Sequence, residues 1–402
     1  MRTKRQKLLV VVLAIALTLN LLSGCTPEEV RVNEMPQSSN GTNGVDGSNG
    51  SSDFVEPEPE PEPFPAKPFE GEIYSRAAIV INADTGDVVF SLNEHERLMP
   101  ASTLKMMTLL VALEELEALS EELGKTLDEK LDMEEQIGVP LLIWGEFETD
   151  NPNTVGGSMS GIVPFQNSLT YRHALHALML SSGNEVSNVI AYNLGGRGTD
   201  GISNFVDKMN SKVNELGLEN TLFANAHGLH EYNNWASVYD LAEIARYGHE
   251  RFSHFGEISG TFEYFMPANQ AYRNGYRIRN SNSLIRGIRG ENRDGDGEYY
   301  GETPLENEVH SIYFRESARG VKTGGLNKVW HMDYDTGQWY ETAGIANLVS
   351  RFESYCDDGY KRAFIIATLE APWRAGTLTD GMSRAHYALT DHITLYEWLF
   401  QR

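Results

Sequence analysis

Cysteine is nearly absent: the 402 residues hold two, Cys25 and Cys356. No disulfide framework ties this chain together, so its core rests on apolar burial. Positive charge is scarce as well. Against 57 aspartates and glutamates stand 33 lysines and arginines, a formal net charge of -24. Such a balance argues against nucleic acid as a partner and against a basic surface held to anionic lipid headgroups, because both would repel the chain. Long apolar runs are missing too. The run from Leu8 to Leu22, broken by Thr18 and Asn20, is short for a membrane span. No internal repeat appears beyond a Glu-Pro alternation. With 41% hydrophobic residues the remainder can bury a substantial core, and the length allows two or three compact units.

Arg2, Lys4, Arg5 and Lys7 precede the apolar run, the pattern of a secretory signal. The run ends in Leu22-Ser23-Gly24-Cys25, which resembles the lipobox of bacterial lipoproteins and implies that Cys25 becomes a lipidated first residue after cleavage. Residues 1–25 are thus read as a lipoprotein signal peptide. Cys356 would then be alone and no intrachain disulfide could form. Loss of the four basic residues leaves the mature chain still more acidic, so membrane attachment would rest on lipid and not on charge. Residues 26–70 contain few core-forming side chains. They read "SSNGTNGVDGSNGSSD" and then "EPEPEPEPFPAKP", a flexible coil followed by a stiffer polyproline-type spacer. At about 3.1 Å per residue for the Pro-rich part, such a linker lifts a domain by several tens of Å.

The folded part, residues 71–402, opens with two β-rich runs, Ala77 to Asn82 and Asp87 to Leu92, joined by Ala83-Asp84-Thr85-Gly86; this predicts a hairpin. A helix is expected from Ser102, with Leu104, Leu109, Leu110 and Leu113 among its apolar positions. Tyr171 to about Leu180, capped by Ser168 or Thr170, and Asn184 to Leu194 also read as helical, as does Val238 to Tyr247. Strands are expected at Gly320 to Gly325, Ala343 to Val349 and Ala363 to Leu369. Arg384 to Phe400 closes the chain as an amphipathic helix with Leu389, Ile393, Tyr396 and Phe400 on one face. Strands at both ends and helices between them predict an α/β (α+β layered) domain, an antiparallel sheet flanked by helices with a helical lobe.

Three short stretches carry chemistry. In "LMPASTLKMM", Ser102 and Lys105 lie three apart and share a helix face. A hydroxyl is a weak nucleophile until a base takes its proton, and a lysine is that base only when neutral. Burial, a positive neighbour and a helix N-terminus all favour the neutral amine. Taken alone, the pair also fits an ordinary cap and a solvated lysine. In "LMLSSGNEVSNVIA", Ser182-Gly183-Asn184 breaks an apolar helix and presents a hydroxyl and a carboxamide, although all three residues suit a plain interhelical turn. In "ARGVKTGGLNKVW", Lys322 and Thr323 lie on an expected strand that Gly324 and Gly325 strip of side chains, so that another backbone can come close.

Ser-x-x-Lys, Ser-x-Asn and Lys-Thr-Gly in this order are the three motifs of the penicillin-recognising serine enzymes. The sequence resembles most closely their low-molecular-weight penicillin-binding proteins, the serine-type D-alanyl-D-alanine carboxypeptidases, from about Tyr74 to Phe400. "INADTGDVVFSLNEHERLMPASTLKMMT", "NTLFANAHGLHEYNNWASVYDLAEIA", "NSNSLI" and "GVKTGG" carry the likeness. It implies a β-lactamase/transpeptidase-like fold over 71–402 and a catalytic centre of Ser102, Lys105 and Ser182. Ser102 would attack the carbonyl of the penultimate D-Ala, Lys105 would act as base, and Ser182 would relay the proton to the leaving amine. Substrate binding would fall to Asn184, Lys322, Thr323, Gly324 and Gly325. Lys322 and Thr323 would take the terminal carboxylate, and the N–H groups of Ser102 and Gly325 would form an oxyanion hole. The implied partners are peptidoglycan stem peptides ending in D-Ala-D-Ala and β-lactam antibiotics, with the protein held at the outer face of a bacterial membrane by its lipid. No cofactor and no metal is expected.

Other readings share parts of this pattern. A β-lactamase carries the same three motifs, and Glu219-Asn220-Thr221-Leu222-Phe223 nearly matches the class A segment that activates a deacylating water. Phe223 stands where that segment has Asn, so Glu219 reads as a surface residue. His173/His176 and His227/His230 have spacings a metal site could use, without a recognisable third ligand. Asn292 to Gly297 imitates a calcium loop, yet Thr303 falls where the bidentate Glu belongs. A non-catalytic wall binder or penicillin sensor on a lipid tether is the alternative from another class. Glu185, where the family often has Asp, departs from the family pattern, as do two insertions, Pro140 to Gly161 and Ile285 to Arg319, which could rim the cleft.

Overall fold

A computed structural model of the chain describes residues 68–133, 137–147, 157–165, 169–286, 318–333, 338–355, 359–372 and 387–400. The signal reading, the linker reading up to residue 67, Cys25, Cys356, Ser168, the calcium-like stretch and most of the second insertion lie outside these residues; Phe69, read as linker, instead packs edge-on against Phe90 and Trp398. The chain starts with the expected hairpin, β1 (Ala77–Asn82) and β2 (Val88–Leu92). A single 3-10 turn, Ala101–Leu104, then leads into α1 (Lys105–Glu122). Next come α2 (Leu127–Asp132), α3 (Leu141–Gly145), α4 (Tyr171–Leu180), α5 (Asn184–Leu194), α6 (Gly201–Glu215), α7 (Val238–Arg251) and α8 (Ser253–Gly260). A small hairpin of β3 (Glu263–Met266) and β4 (Tyr276–Arg279) precedes the one-turn α9 (Ser283–Arg286). Three long strands, β5 (Ala318–Asp333), β6 (Gln338–Tyr355) and β7 (Lys361–Pro372), and the closing helix α10 (Tyr387–Phe400) complete the described chain.

The five-stranded sheet has the order β2-β1-β7-β6-β5, and every pairing is antiparallel. Its strands are apolar on both faces because both faces are covered, in line with the general link between two-sided burial and continuous apolar runs. Side-chain alternation sorts them. Ile79, Ile81, Val349, Ile365 and Ala367 join a core with α1, α4, α5, α6, α7 and α8. Val80, Leu348, Phe364 and Ile366 pack on the other side against Leu389, Leu395, Tyr396 and Phe400 of α10. Ile393 lies at the margin of that stripe, partly buried, and Asp391 is buried in its place because it accepts the backbone N–H groups of Tyr74 and Ser75. The sheet is therefore the middle of three layers, and α1 runs beneath it with Met106, Leu109, Leu110 and Leu113 wholly buried.

Several boundaries shift from the sequence reading. Thr170 caps α4 through a capping box with His173. Ser102 caps nothing: it sits inside the 3-10 turn, and neither Pro100 nor Leu104 at the turn's two boundaries makes a side-chain cap bond. β5 and β6 extend well beyond the apolar cores that announced them, and α7 runs to Arg251 rather than Tyr247.

Candidate active site

The 3-10 turn presents Ser102 at the end of α1, and the first residue of α1 is Lys105. Its side chain is fully buried, with Nζ 2.9 Å from Ser102 Oγ, 2.8 Å from Asn184 Oδ1 and 2.5 Å from the His227 carbonyl oxygen. The chemistry of those three neighbours decides what the amine does. A carboxamide oxygen and a backbone carbonyl can only accept. A neutral amine has two N–H donors and one lone pair, so donating to both leaves the lone pair for the Ser102 hydroxyl. Burial drives Lys105 well below the ordinary lysine range, and the nearby charge of Lys322 pushes the same way; the Glu185 carboxylate opposes them. This is an amine prepared to take a proton from Ser102.

Its surroundings are built with close backbone contacts. Asn225 folds the loop that follows by accepting the N–H groups of His227 and Gly228 with one oxygen, which sets the His227 carbonyl toward Lys105. Gly228 has φ +84, and a Cβ there would lie 2.1 Å from the Ala101 carbonyl oxygen. Only glycine permits this approach. Ala101 itself has φ +48, a left-handed conformation for a residue with a Cβ, of the type that clusters at functional sites. Two sheet strands brace the segment before it: Asn347 of β6 donates to the carbonyls of Met99 (2.7 Å) and Pro100 (3.0 Å), and Glu370 of β7 accepts the Met99 N–H at 3.2 Å.

The second and third motifs converge on the same place. Ser182, φ +59, is buried and its hydroxyl has no hydrogen-bond partner among the described residues; Asn184 is bonded to Lys105. Lys322, Thr323, Gly324 and Gly325 lie on β5 at the edge of the sheet. A Cβ on Gly324 would stand 3.1 Å from the Ser102 N and 3.0 Å from the Pro100 O, so glycine is what lets β5 press against the nucleophile's turn. Lys322 is buried, its amine donates to the Thr323 carbonyl at 2.9 Å, and burial lowers its pKa to about 7. The Thr323 hydroxyl lies 2.7 Å from that of Ser281. Gly325, unlike its neighbours, is exposed.

The other candidates are occupied elsewhere. Glu219 is exposed, and Phe223 is buried. His176 stacks on Tyr264 with centroids 3.8 Å apart, and His173 belongs to the α4 capping box. His227 accepts the Leu229 N–H through Nδ1, and burial takes its pKa down to about 3. Among the described residues no cluster of three His, Cys, Asp or Glu is placed to hold a metal. Sequence reasoning missed the His227 carbonyl, Gly228, Asn347 and Ser281. The Asn225 to Gly228 spacing is a readable Asx-turn signal; the backbone carbonyl it positions, and the long-range contacts of Asn347, leave none.

Comparison with known proteins agrees with this geometry. The family model described as D-alanyl-D-alanine carboxypeptidase matches residues 64–295, a span that includes Ser102, Lys105, Ser182 and Asn184 and stops before Lys322. D-alanyl-D-alanine carboxypeptidase DacF of Bacillus subtilis is 30% identical over 212 residues, 53% of this chain and 48% of that protein. DacD of Escherichia coli is 28% identical over 227 residues, 55% and 50%. The chain spans about half the length of these relatives. Among solved structures, the Streptomyces K15 DD-transpeptidase aligns with TM-score 0.56 and 19% identity over 83% of this chain and all of that one. Penicillin binding protein 5 from Haemophilus influenzae aligns at 0.54 and 18%, over 83% and 72%. At these identities the structural likeness speaks for the fold, and it extends past the end of the family match.

Proposed function

The chain belongs to the D-alanyl-D-alanine carboxypeptidase family, and we propose that it removes the terminal D-Ala from peptidoglycan stem peptides through an acyl-enzyme on Ser102. The observation that carries this reading is the buried Lys105 amine, whose two carbonyl-type acceptors leave its lone pair to the Ser102 hydroxyl. Ser102 Oγ adds to the carbonyl of the penultimate D-Ala as its proton passes to Lys105. The oxyanion collects the N–H groups of Ser102 and Gly325. Collapse breaks the C–N bond, and the proton moves from Lys105 through the unpartnered Ser182 hydroxyl to the departing amine. Water then cleaves the Ser102 ester and restores the hydroxyl. The peptide lies along the free edge of β5 as an added strand, with its carboxylate at Lys322 and Thr323. A β-lactam presents the same carboxylate and an acylating carbonyl, and would acylate Ser102.

The exposed Glu219 and the buried Phe223 count against the class A β-lactamase alternative. The deciding assay is release of D-Ala from a stem pentapeptide mimic. Wild-type protein releases it and is acylated by labelled penicillin, while Ser102→Ala does neither. Acylation without release from well-folded wild-type protein would favour a penicillin sensor.

The basic start, short apolar run and Leu-Ser-Gly-Cys ending support a further part of the proposal. Cys25 carries lipid, residues 26–70 act as tether, and the enzyme works at the extracytoplasmic face of the membrane, toward the wall. In the native host a clickable fatty acid should label the wild-type protein and not Cys25→Ser; equal labelling of both would end this part of the proposal.

A further inference from the structure

Among the described residues, Glu185 is an ionisable group at this site that the reaction as derived above does not use. It is the second residue of α5 and fully buried. Its Oε1 accepts both the backbone N–H and the hydroxyl of Ser160, each at 2.5 Å. Among the described residues neither its Oε2 nor the buried hydroxyl of Tyr276 on β4 has a close hydrogen-bond partner.

Residues 157–161 are thereby drawn across the second motif like a strap. The Asn184 N–H donates to the Ser158 carbonyl at 2.8 Å. Gly157, φ +102, lies so close that a Cβ would stand 2.2 Å from Asn184 Nδ2. At the strap's other end Gly161 rests on Tyr276, where a Cβ would come within 2.9 Å of the ring, and its carbonyl accepts Asn269 Nδ2 at 3.0 Å. Asn184 is thus held from behind by the strap while its Oδ1 takes a hydrogen from Lys105.

We propose that Glu185 is a positioning residue of this site, holding the strap 157–161 against Asn184 and placing a negative charge near the Lys105 amine. The proposal rests on the reading of Ser102 as nucleophile and Lys105 as base. The groups that act on Lys105 come from three elements. Lys322 on β5 favours the neutral amine, Glu185 on α5 favours the charged one, and His227 in the following loop is held uncharged by burial. Glu185 in turn is bonded to Ser160 of the strap, and its charge acts on Tyr276 of β4 and on Lys105. Burial raises its own pKa, the Ser160 bonds and the backbone N–H groups of Glu185 and Val186 oppose that, and burial, followed by the Glu185 charge, raises the pKa of the Tyr276 hydroxyl. The sign follows: removing the carboxylate charge lets Lys105 lose its proton at lower pH. The acid limb of the rate profile, which reports the free base, then moves down in pH.

The test uses benzylpenicillin acylation of the full chain, measured as a second-order rate constant against pH, with D-Ala release measured beside it. Glu185→Gln keeps a carbonyl oxygen for the two Ser160 donors and removes the charge. Its acid limb should move down by about half a pH unit or more, with the maximal rate within about tenfold of wild type. Glu185→Ala loses the strap contact as well and should fall more than about tenfold at every pH. An acid limb in Glu185→Gln that coincides with that of wild type overturns the proposal. If that variant does not fold, Ser160→Ala carries the test. It removes one donor and no charge, and it should lower the maximal rate severalfold in protein that is still folded at the assay temperature; an unchanged rate overturns the strap. Because acylation is read directly, a wild-type enzyme that is acylated but releases no D-Ala defeats the carboxypeptidase reading and still tests Glu185.

Discussion

The two buried lysines are set apart by what they touch. Lys105 has two acceptors fixed in place and a hydroxyl to deprotonate, so its neutral form fits. Among the described residues Lys322 has one carbonyl, that of Thr323, which leaves a cation donor capacity for an anion. Burial alone lowers Lys322 to about 7, so the free enzyme loses this charge as pH rises through neutrality, and a substrate carboxylate binds the protonated form. Binding must therefore raise the Lys322 pKa in the complex. The restored charge, next to Lys105, then holds the base neutral when the peptide is seated. KM for a carboxylate-ended peptide should accordingly rise above about pH 7 while kcat stays level to higher pH. An amidated analogue without the carboxylate should bind weakly at all pH values and show no such rise. Parallel KM profiles for the two peptides would remove Lys322 from carboxylate binding.

The elements show which parts of this site the sequence could announce. Strands and helices that bury a periodic apolar face were legible: the β1–β2 hairpin, α4, α5 and the cores of β5, β6 and β7 lie where alternation and spacing put them. The motif residues were legible because each carries a local signature: a helix start at Lys105 and Asn184, a polar break at Ser182, and a glycine pair after Lys322 and Thr323 within β5. Other parts were not. The short α2, α3, α8 and α9 and the β3–β4 hairpin have too few residues for a period to stand out, and α6 (Gly201–Glu215) was not read as a helix although it is long enough to show one. The extension of β5 and β6 depends on pairing between the two strands, which extends backbone partners from Ala318 to Asp333 on β5; that is a property of neither strand alone. The bracing of the nucleophile is longer in range still. A register shift between Ala346 and Leu348 marks where Asn347 lies, and its amide reaches carbonyls some 250 positions away in the chain, at Met99 and Pro100. No pattern along one element predicts such a contact. Ser102 illustrates the same limit: spacing put it on one face with Lys105, but the 3-10 turn and the left-handed Ala101 arise from Gly228 and Gly324 pressing in from two distant segments.

For the molecule as a whole, the same burial that neutralises the base biases stability toward alkaline pH. His176, His227 and His249 are pushed down to about 4, 3 and 4 by desolvation, against about 6.5 in an unfolded chain. Between those values the unfolded chain binds protons that the folded chain refuses, so stability falls as pH falls through this window. Each histidine contributes a slope approaching about 1.4 kcal/mol per pH unit once the pH is well below 6.5. Lys322 extends the trend upward: from about 7 to about 10.4 the unfolded lysine is charged and the buried one is not, so stability rises with pH there too. Buried carboxylates whose pKa values are raised, Asp240 and Asp391 among them, take up protons early in the fold and offset part of the loss nearer pH 4. The melting temperature should therefore drop steeply from pH 6.5 to pH 5 and climb above pH 7, when followed by circular dichroism in moderate salt. His249 lies away from the nucleophile, with Nδ1 at the Ala245 carbonyl, so His249→Gln isolates the effect without touching the chemistry. It should flatten the acid slope by about one proton's worth and leave the alkaline branch as it was. An acid slope as steep as that of the wild type would mean that the desolvated histidines, the partly buried His249 among them, do not govern acid unfolding of this chain.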